Sequence, residues 1–246
     1  MGDRPSIGLI ALLWCCVVIG GLAPVAAVEV VPGFTVATPG DLLTFSLANA
    51  PESWVVTDAS QVPQLKVTAP DGAVTFRQAY RTRTGLQVRH VARAVGVHLW
   101  KVLDAGGNAV GGPASNGQFT VVAGANPVGP IGINPHNRRF LAWADGTPFV
   151  PVGPNVAWVD GDPVVGFTRA FATVRENGGN HVRIWMSTWC LGIEGEKTGE
   201  YQFERADQLD AVLIAARAAG IRMTLVIDNH HDVLLGKPFP YGADPT

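Results

Sequence analysis

Between Phe149 and Ile227 three short apolar runs alternate with two longer stretches of helical period, and few folds accept that order. Phe149-Val150-Pro151-Val152-Gly153 reads as a strand. Asp162-Pro163 then supplies an N-cap and a first-turn proline. Phe167, Ala170, Phe171 and Val174 recur at helical spacing up to a Gly178-Gly179 stop. Val182-Arg183-Ile184-Trp185-Met186 is a second strand, and Leu209, Val212, Leu213 and Ala216 mark one face of a second helix that Gly220 ends. Arg222 to Ile227 is a third strand, apolar after Met223 apart from Thr224, as suits a parallel strand covered on both faces. Strand, helix, strand, helix, strand demands right-handed crossovers. Both a doubly wound sheet and the start of an eight-stranded α/β barrel satisfy it. Gly153-Pro154-Asn155-Val156-Ala157-Trp158 has no G-x-G-x-x-G, which argues against dinucleotide binding and leaves no cofactor implied. Pro151 is awkward in an internal strand and predicts a bulge or a seam.

The preceding region has another grammar. Gln64 to Thr68 alternates apolar and polar, Pro70-Asp71-Gly72 turns, and Val74 to Arg77 alternates again. Val97 to Leu103 runs into Ala105-Gly106-Gly107-Asn108, and Gly117 to Val122 closes the series. Short strands with Gly and Pro turns predict a β-sandwich of immunoglobulin-like size over residues 28–123. Residues 124–135, rich in Gly and Pro, read as a linker, and 136–246 as the α/β part.

Of the 246 residues 47% are apolar and 15% charged, with a net charge of −2, so a packed core is expected and no nucleic-acid footprint is present. Arg4, the apolar run Ile7 to Ile19, Gly20-Gly21, Pro24 and Ala26-Ala27 form a secretory signal pattern over residues 1–27. This predicts a secreted or periplasmic protein with no stable membrane insertion after cleavage. Cys15 and Cys16 fall inside that segment, so only Cys190 remains and no internal disulfide can form.

In both α/β architectures ligands bind beyond the C-terminal ends of the strands. That rule selects Asn155 and Trp158 after the first strand, Arg183 and Trp185 on one face of the second, and Trp189 beyond it. Asp228, His230, His231 and Asp232 follow the third. Tryptophans interleaved with polar groups suit a sugar, whose faces stack on indole while its hydroxyls need partners. A guanidinium near the end of an apolar strand predicts an anionic partner for Arg183, with Asp228 within reach. Glu194 and Glu196 lie in a Gly-rich loop and are expected to be solvated, with Glu194 able to line a cleft. The His230 cluster could also hold a metal, although adjacent histidines on a strand end point apart and no H-E-x-x-H helix supports them.

"NPHNRRFLAWADGTPFVPVGPNVAW" (134–158), "GGNHVRIWM" (178–186), "GEYQFERADQLDAVLIAARAAGI" (199–221) and "VIDNHH" (226–231) resemble secreted bacterial glycoside hydrolases of the cellulase-like superfamily. The likeness is to members with a family 5-like barrel behind a small β-sandwich. It implies an immunoglobulin-like sandwich followed by the first three strands of a truncated (β/α)8 TIM barrel, acting on a polysaccharide or oligosaccharide. Arg183 matches the second-strand arginine that supports the nucleophilic carboxylate, and His230 the third-strand histidine that helps hold the sugar. Asn155, Trp158 and Glu194 match recurring cleft positions. The family's retaining mechanism needs two carboxylates roughly 5–5.5 Å apart, at the ends of the fourth and seventh strands. Neither is present here, so no catalytic residue is assigned. The resemblance thus predicts the front part of a longer glycosidase, inactive on its own. Two alternatives stay open: a non-catalytic carbohydrate-binding or interaction module, and a metal-dependent hydrolase built on His230.

Overall fold

A computed structural model of the chain describes residues 29–32, 34–50, 62–110, 115–124, 130–194 and 200–227. The segment read as a signal, 1–27, lies outside them. Among the described residues the fold is mostly β-sheet, in several sheets, with two helices.

Nine strands form the first region: β1 (Glu29–Pro32), β2 (Val36–Ala37), β3 (Leu42–Ala48), β4 (Gln64–Thr68), β5 (Val74–Gln78), β6 (Tyr80–Thr82), β7 (Gly85–Val91), β8 (Gly96–Leu103) and β9 (Asn116–Val121). They make a four-stranded sheet in the order β1-β3-β7-β6 and a five-stranded sheet in the order β2-β9-β8-β4-β5. Alternation decides which side chains meet between them. Leu43, Phe45 and Leu47 on β3 and Leu86 and Val88 on β7 face Leu65, Val67, Trp100, Val102, Phe119 and Val121 from the other sheet in one buried cluster. Phe45 is fully buried at its centre, edge-on to Phe34 at 5.0 Å and to Trp100 at 5.5 Å between ring centroids. The Pro70-Asp71-Gly72 turn joins β4 to β5 as expected, with the Asp71 carboxylate accepting from Ala73 N at 3.0 Å.

Three short antiparallel strands follow, β10 (Ile131–Ile133), β11 (Leu141–Trp143) and β12 (Pro148–Phe149). β10 falls within the stretch read as a linker. β12 takes Phe149, which the sequence suggested for the first α/β strand. The segment that instead lies beside the next strand is 152–157.

Helix α1 (Pro163–Glu176) starts where expected: the Asp162 side chain accepts from Val165 N at 2.9 Å, and Pro163 occupies the first turn. Gly178, at φ +79°, takes the left-handed turn that ends it. Strand β13 (His181–Trp185), helix α2 (Phe203–Ala218) and strand β14 (Arg222–Val226) complete a βαβ unit, with β13 and β14 parallel from His181 beside Arg222 to Trp185 beside Val226. Residues 152–157 run parallel to β13 on its other side. Arg183 N donates to Pro154 O and Val156 N to Arg183 O, each in register with the Asn155–Arg183 bridge. Trp185 N then donates to Ala157 O, one residue further along than a regular parallel ladder would allow. The irregularity lies at Ala157, six residues beyond Pro151, where the sequence suggested it. Gly153 is required by close approach, because a Cβ there would stand 1.6 Å from His181 O.

One face of β13 is spent on packing. Val182 and Ile184 are fully buried with Phe167 and Phe171 of α1 and Leu209, Val212 and Ala216 of α2. Leu213, read as part of that helix face, is 39% exposed. The third strand was expected to be covered on both faces, yet Ile227 at its end is 62% exposed. The sandwich meets this unit through α2. Arg83 donates to Asp207 at 2.8 Å, and Arg89 grips Asp210 with both guanidinium nitrogens while lying 5.0 Å from the centre of the Tyr80 ring.

Candidate functional site

Strand alternation sends Val182 and Ile184 to the helices and therefore sends His181, Arg183 and Trp185 to the opposite face. Arg183 is exposed there, with its guanidinium carbon 5.8 Å from the centre of the Trp185 ring. The guanidinium expected to be partly buried is exposed. Among the described residues the ion pairs are Arg83–Asp207 and Arg89–Asp210, and neither involves Arg183. An arginine on an open surface keeps its hydration and needs no counter-charge. Asp228, the carboxylate suggested for it, lies outside the described residues, as do His230, His231 and Asp232.

Three indoles gather at the C-terminal end of β13. The Trp158 ring lies 5.7 Å from Trp185 and 5.9 Å from Trp189, the second contact near perpendicular at 78°. Trp185 is only 8% exposed and forms the base, whereas Trp158 and Trp189 are 47% and 46% exposed. Half-open indoles supported by a buried one are a rigid apolar surface offered to solvent, which a core does not need. Asn155, itself exposed, is joined to Arg183 by a backbone bridge on the neighbouring segment. The sequence rule thus brings Asn155, Trp158, Arg183, Trp185 and Trp189 onto neighbouring segments at one end of the parallel ladder.

Glu194 corrects an expectation. Read as solvated, it is 5% exposed, and its residue bridges Tyr201 across the base of the loop after β13. That loop is tightly turned: Ser187 O accepts from Cys190 N at 3.0 Å and Gly192 N at 2.8 Å, and Arg205 of α2 donates to Cys190 O at 2.8 Å. Cys190 and Leu191 are buried with the helices and anchor the loop's inner side.

One pair was missed. His181 Nε2 and Thr224 Oγ1 lie 2.9 Å apart on the same face as Arg183, and burial pushes the His181 pKa down. The signal was available in the spacing, since His181 is two residues before Arg183 and Arg183 lies in register with Thr224. Among the described residues no group of His, Cys, Asp or Glu is placed to hold a metal ion. The face offers aromatic stacking, a cation, an amide and hydroxyl partners. It offers no pair of carboxylates among the described residues.

No protein-family model and no curated protein matches the chain. Among solved structures, a candidate glycoside hydrolase from Bacteroides vulgatus aligns with a TM-score of 0.55 at 16% identity, over 79% of this chain and 41% of that one. The fold is shared. The chain spans about two fifths of that protein's length. Weaker alignments, with TM-scores of 0.27 and 0.24, are to a β-glucuronidase from Parabacteroides merdae (9% identity, 80% of this chain, 23% of that one) and to a cycloisomaltooligosaccharide glucanotransferase from a Paenibacillus species (10% identity, 81% and 27%). At those scores the two carry no argument.

Proposed function

We propose that the chain serves carbohydrate hydrolysis, with its immunoglobulin-like sandwich attached to the opening βαβαβ portion of a (β/α)8 barrel of the cellulase-like type. The observation that carries the reading is the open face of the parallel ladder. A barrel turns that face inward and gathers strand C-termini around its ligand. On it stand Arg183 and three indoles, two of them half exposed, instead of the large aliphatic side chains that a plain core would place there. The fold shared with the Bacteroides vulgatus protein is in keeping with it.

In this reading Trp158 and Trp189 stack on a pyranose, Asn155 and His181 bind its hydroxyls, and Arg183 supports a nucleophilic carboxylate supplied by a later strand. His230 and His231 would border the same cleft from the end of β14, and Glu194 would stiffen its wall. The retaining mechanism requires an acid/base and a nucleophile roughly 5–5.5 Å apart, and the reading places both on strands beyond β14. Export across the inner membrane follows from residues 1–27 in the same proposal.

The test is a titration of the purified chain with β-glucan oligosaccharides, followed by tryptophan fluorescence, beside a hydrolysis assay. Saturable quenching that Trp158→Ala removes, with no hydrolysis, is the expected result. No quenching would discard the cleft. Hydrolysis lost in Arg183→Ala would keep the enzyme and overturn the placement of its carboxylates.

A further inference from the structure

A cavity lies at the end of the parallel strands remote from the tryptophans, where the sandwich, the β10–β12 meander and the α/β unit meet. Its volume is about 980 Å³, towards the upper end of the roughly 300–1,000 Å³ typical of small-ligand sites. Thr38 to Asp41 and Arg93 line it from the sandwich, Ile131 from the meander, and Arg217 and Arg222 from the end of α2 and the start of β14. Four strand residues separate Arg222 here from Val226 at the level of the tryptophans, about 13 Å.

Its charge is one-sided. Arg93, Arg217 and Arg222 line it against the single carboxylate of Asp41. That carboxylate is already engaged: it accepts from Thr38 N at 2.7 Å and Thr38 Oγ1 at 2.9 Å, bonds that hold its pKa below the usual range and keep it ionised. Among the described residues none of the three arginines is in an ion pair. Arg222 is half-buried over the Trp143 ring, 4.8 Å from its centre, and its pKa is pushed down by burial and by the charge of Arg217. Arg217 and Arg222 repel across a hollow in which the carboxylate of Asp41, itself within the field of Arg217, leaves the cations in excess. The walls are firm, since Gly40 N donates to Ala92 O, Ala92 N to Asp41 O and Arg222 N to Asn180 O.

We propose that this groove is an oxyanion-binding site, with Arg217 and Arg222 converging on a phosphate or carboxylate and Arg93 closing from the sandwich. A dianion there offsets the repulsion and ties the sandwich to the α/β unit at the end remote from the tryptophans. Guanidinium pairs suit such planar and tetrahedral oxyanions. A free phosphate and an acidic glycan carry the same chemistry.

Calorimetric titration of the full chain at low salt, with inorganic phosphate and separately with a diuronic acid, tests it. Saturable binding is expected, weakened about tenfold by Arg217→Gln or Arg222→Gln and strengthened by Asp41→Asn. Binding of phosphate alone assigns a free oxyanion, and binding of the diuronate alone an acidic glycan; both uphold the site. Absence of binding by either probe, or undiminished binding in Arg217→Gln, would overturn it. Arg217 is exposed on the last turn of α2, so that variant folds even if Arg222→Gln, which removes the stack on Trp143, does not. Trp158→Ala leaves phosphate binding unchanged, which separates failure here from failure of the sugar cleft.

Discussion

The sandwich and the α/β unit use the same device, a β-sheet with alternating faces, and bring it to different ends. In the sandwich each sheet hides its inner face against the other, and Phe45, Val88, Leu65 and Phe119 lie at or near zero exposure between them. In the α/β unit the helices cover one face of β13, while the other keeps Arg183 in the open and backs the half-exposed Trp158 and Trp189 with a buried Trp185. Residues on a covered face are chosen by volume. On an open face, volume is no constraint, so a cation, an amide and half-exposed indoles there need another explanation, and ligand binding supplies one. The contrast separates the residues that hold the molecule from those free to do something else.

The largest effect should come from breaking the closed side. Phe45→Ala removes a ring with no exposure from the middle of the sandwich and is expected to cost about 3–5 kcal/mol, read by chemical denaturation. Acid probes the same core more gently. His90 is 7% exposed, 6.2 Å from Phe119, and burial together with Arg77, His98 and Arg93 lowers its pKa to about 4. The folded state keeps it neutral while the unfolded chain takes up a proton near its ordinary value. Stability is therefore full above about pH 6.5 and falls as pH drops towards 4, by on the order of 2 kcal/mol. Denaturation of His90→Leu should show a shallower pH profile over that window; an unchanged profile would remove His90 as the cause.

Smaller still is the coupling between the two regions. A double-mutant cycle on Arg89→Ala and Asp210→Ala should return about 1–2 kcal/mol, because the pair is bidentate and only partly screened. A coupling of zero would make the sandwich a passive neighbour of α2. Arg183→Ala should change stability by less than about 0.5 kcal/mol, as befits an exposed side chain without an ion pair among the described residues. If it instead unfolds the unit, the open face is structural and the comparison fails at its centre.

Legibility in the sequence follows the same division. Elements whose ends carry local chemistry were readable: Asp162-Pro163 and Gly178 bound α1, and Pro70-Asp71-Gly72 turned β4 into β5. Strands β3 and β7 were not singled out, although Leu43, Phe45 and Leu47 alternate as regularly as Leu65 and Val67 and the Pro39-Gly40 turn stands just before β3. Phe149 was drawn into the wrong sheet, since an apolar pair followed by Val-Pro-Val reads alike as an end or a beginning. Only the ladder, with Pro154 unable to donate and Gly153 pressed on His181 O, decides where parallel pairing starts. At the site, the rule of strand C-termini placed Arg183 and the tryptophans without aid from local pattern. The burial of Glu194 was invisible, because it depends on the Ser187 turn and the Tyr201 bridge and not on its Gly-rich neighbours.

The clasp between Arg89 and Asp210 joins residues 121 apart in the chain, and Arg83 and Asp207 are 124 apart. At a synthesis rate of about 5–20 residues per second, the arginines leave the ribosome some 6–25 seconds before their partners. Small β domains fold within milliseconds to seconds. The sandwich is thus a finished ledge, already carrying two cations, when α2 arrives with its carboxylates one turn apart. Assembly of the parallel strands begins on a prepared surface.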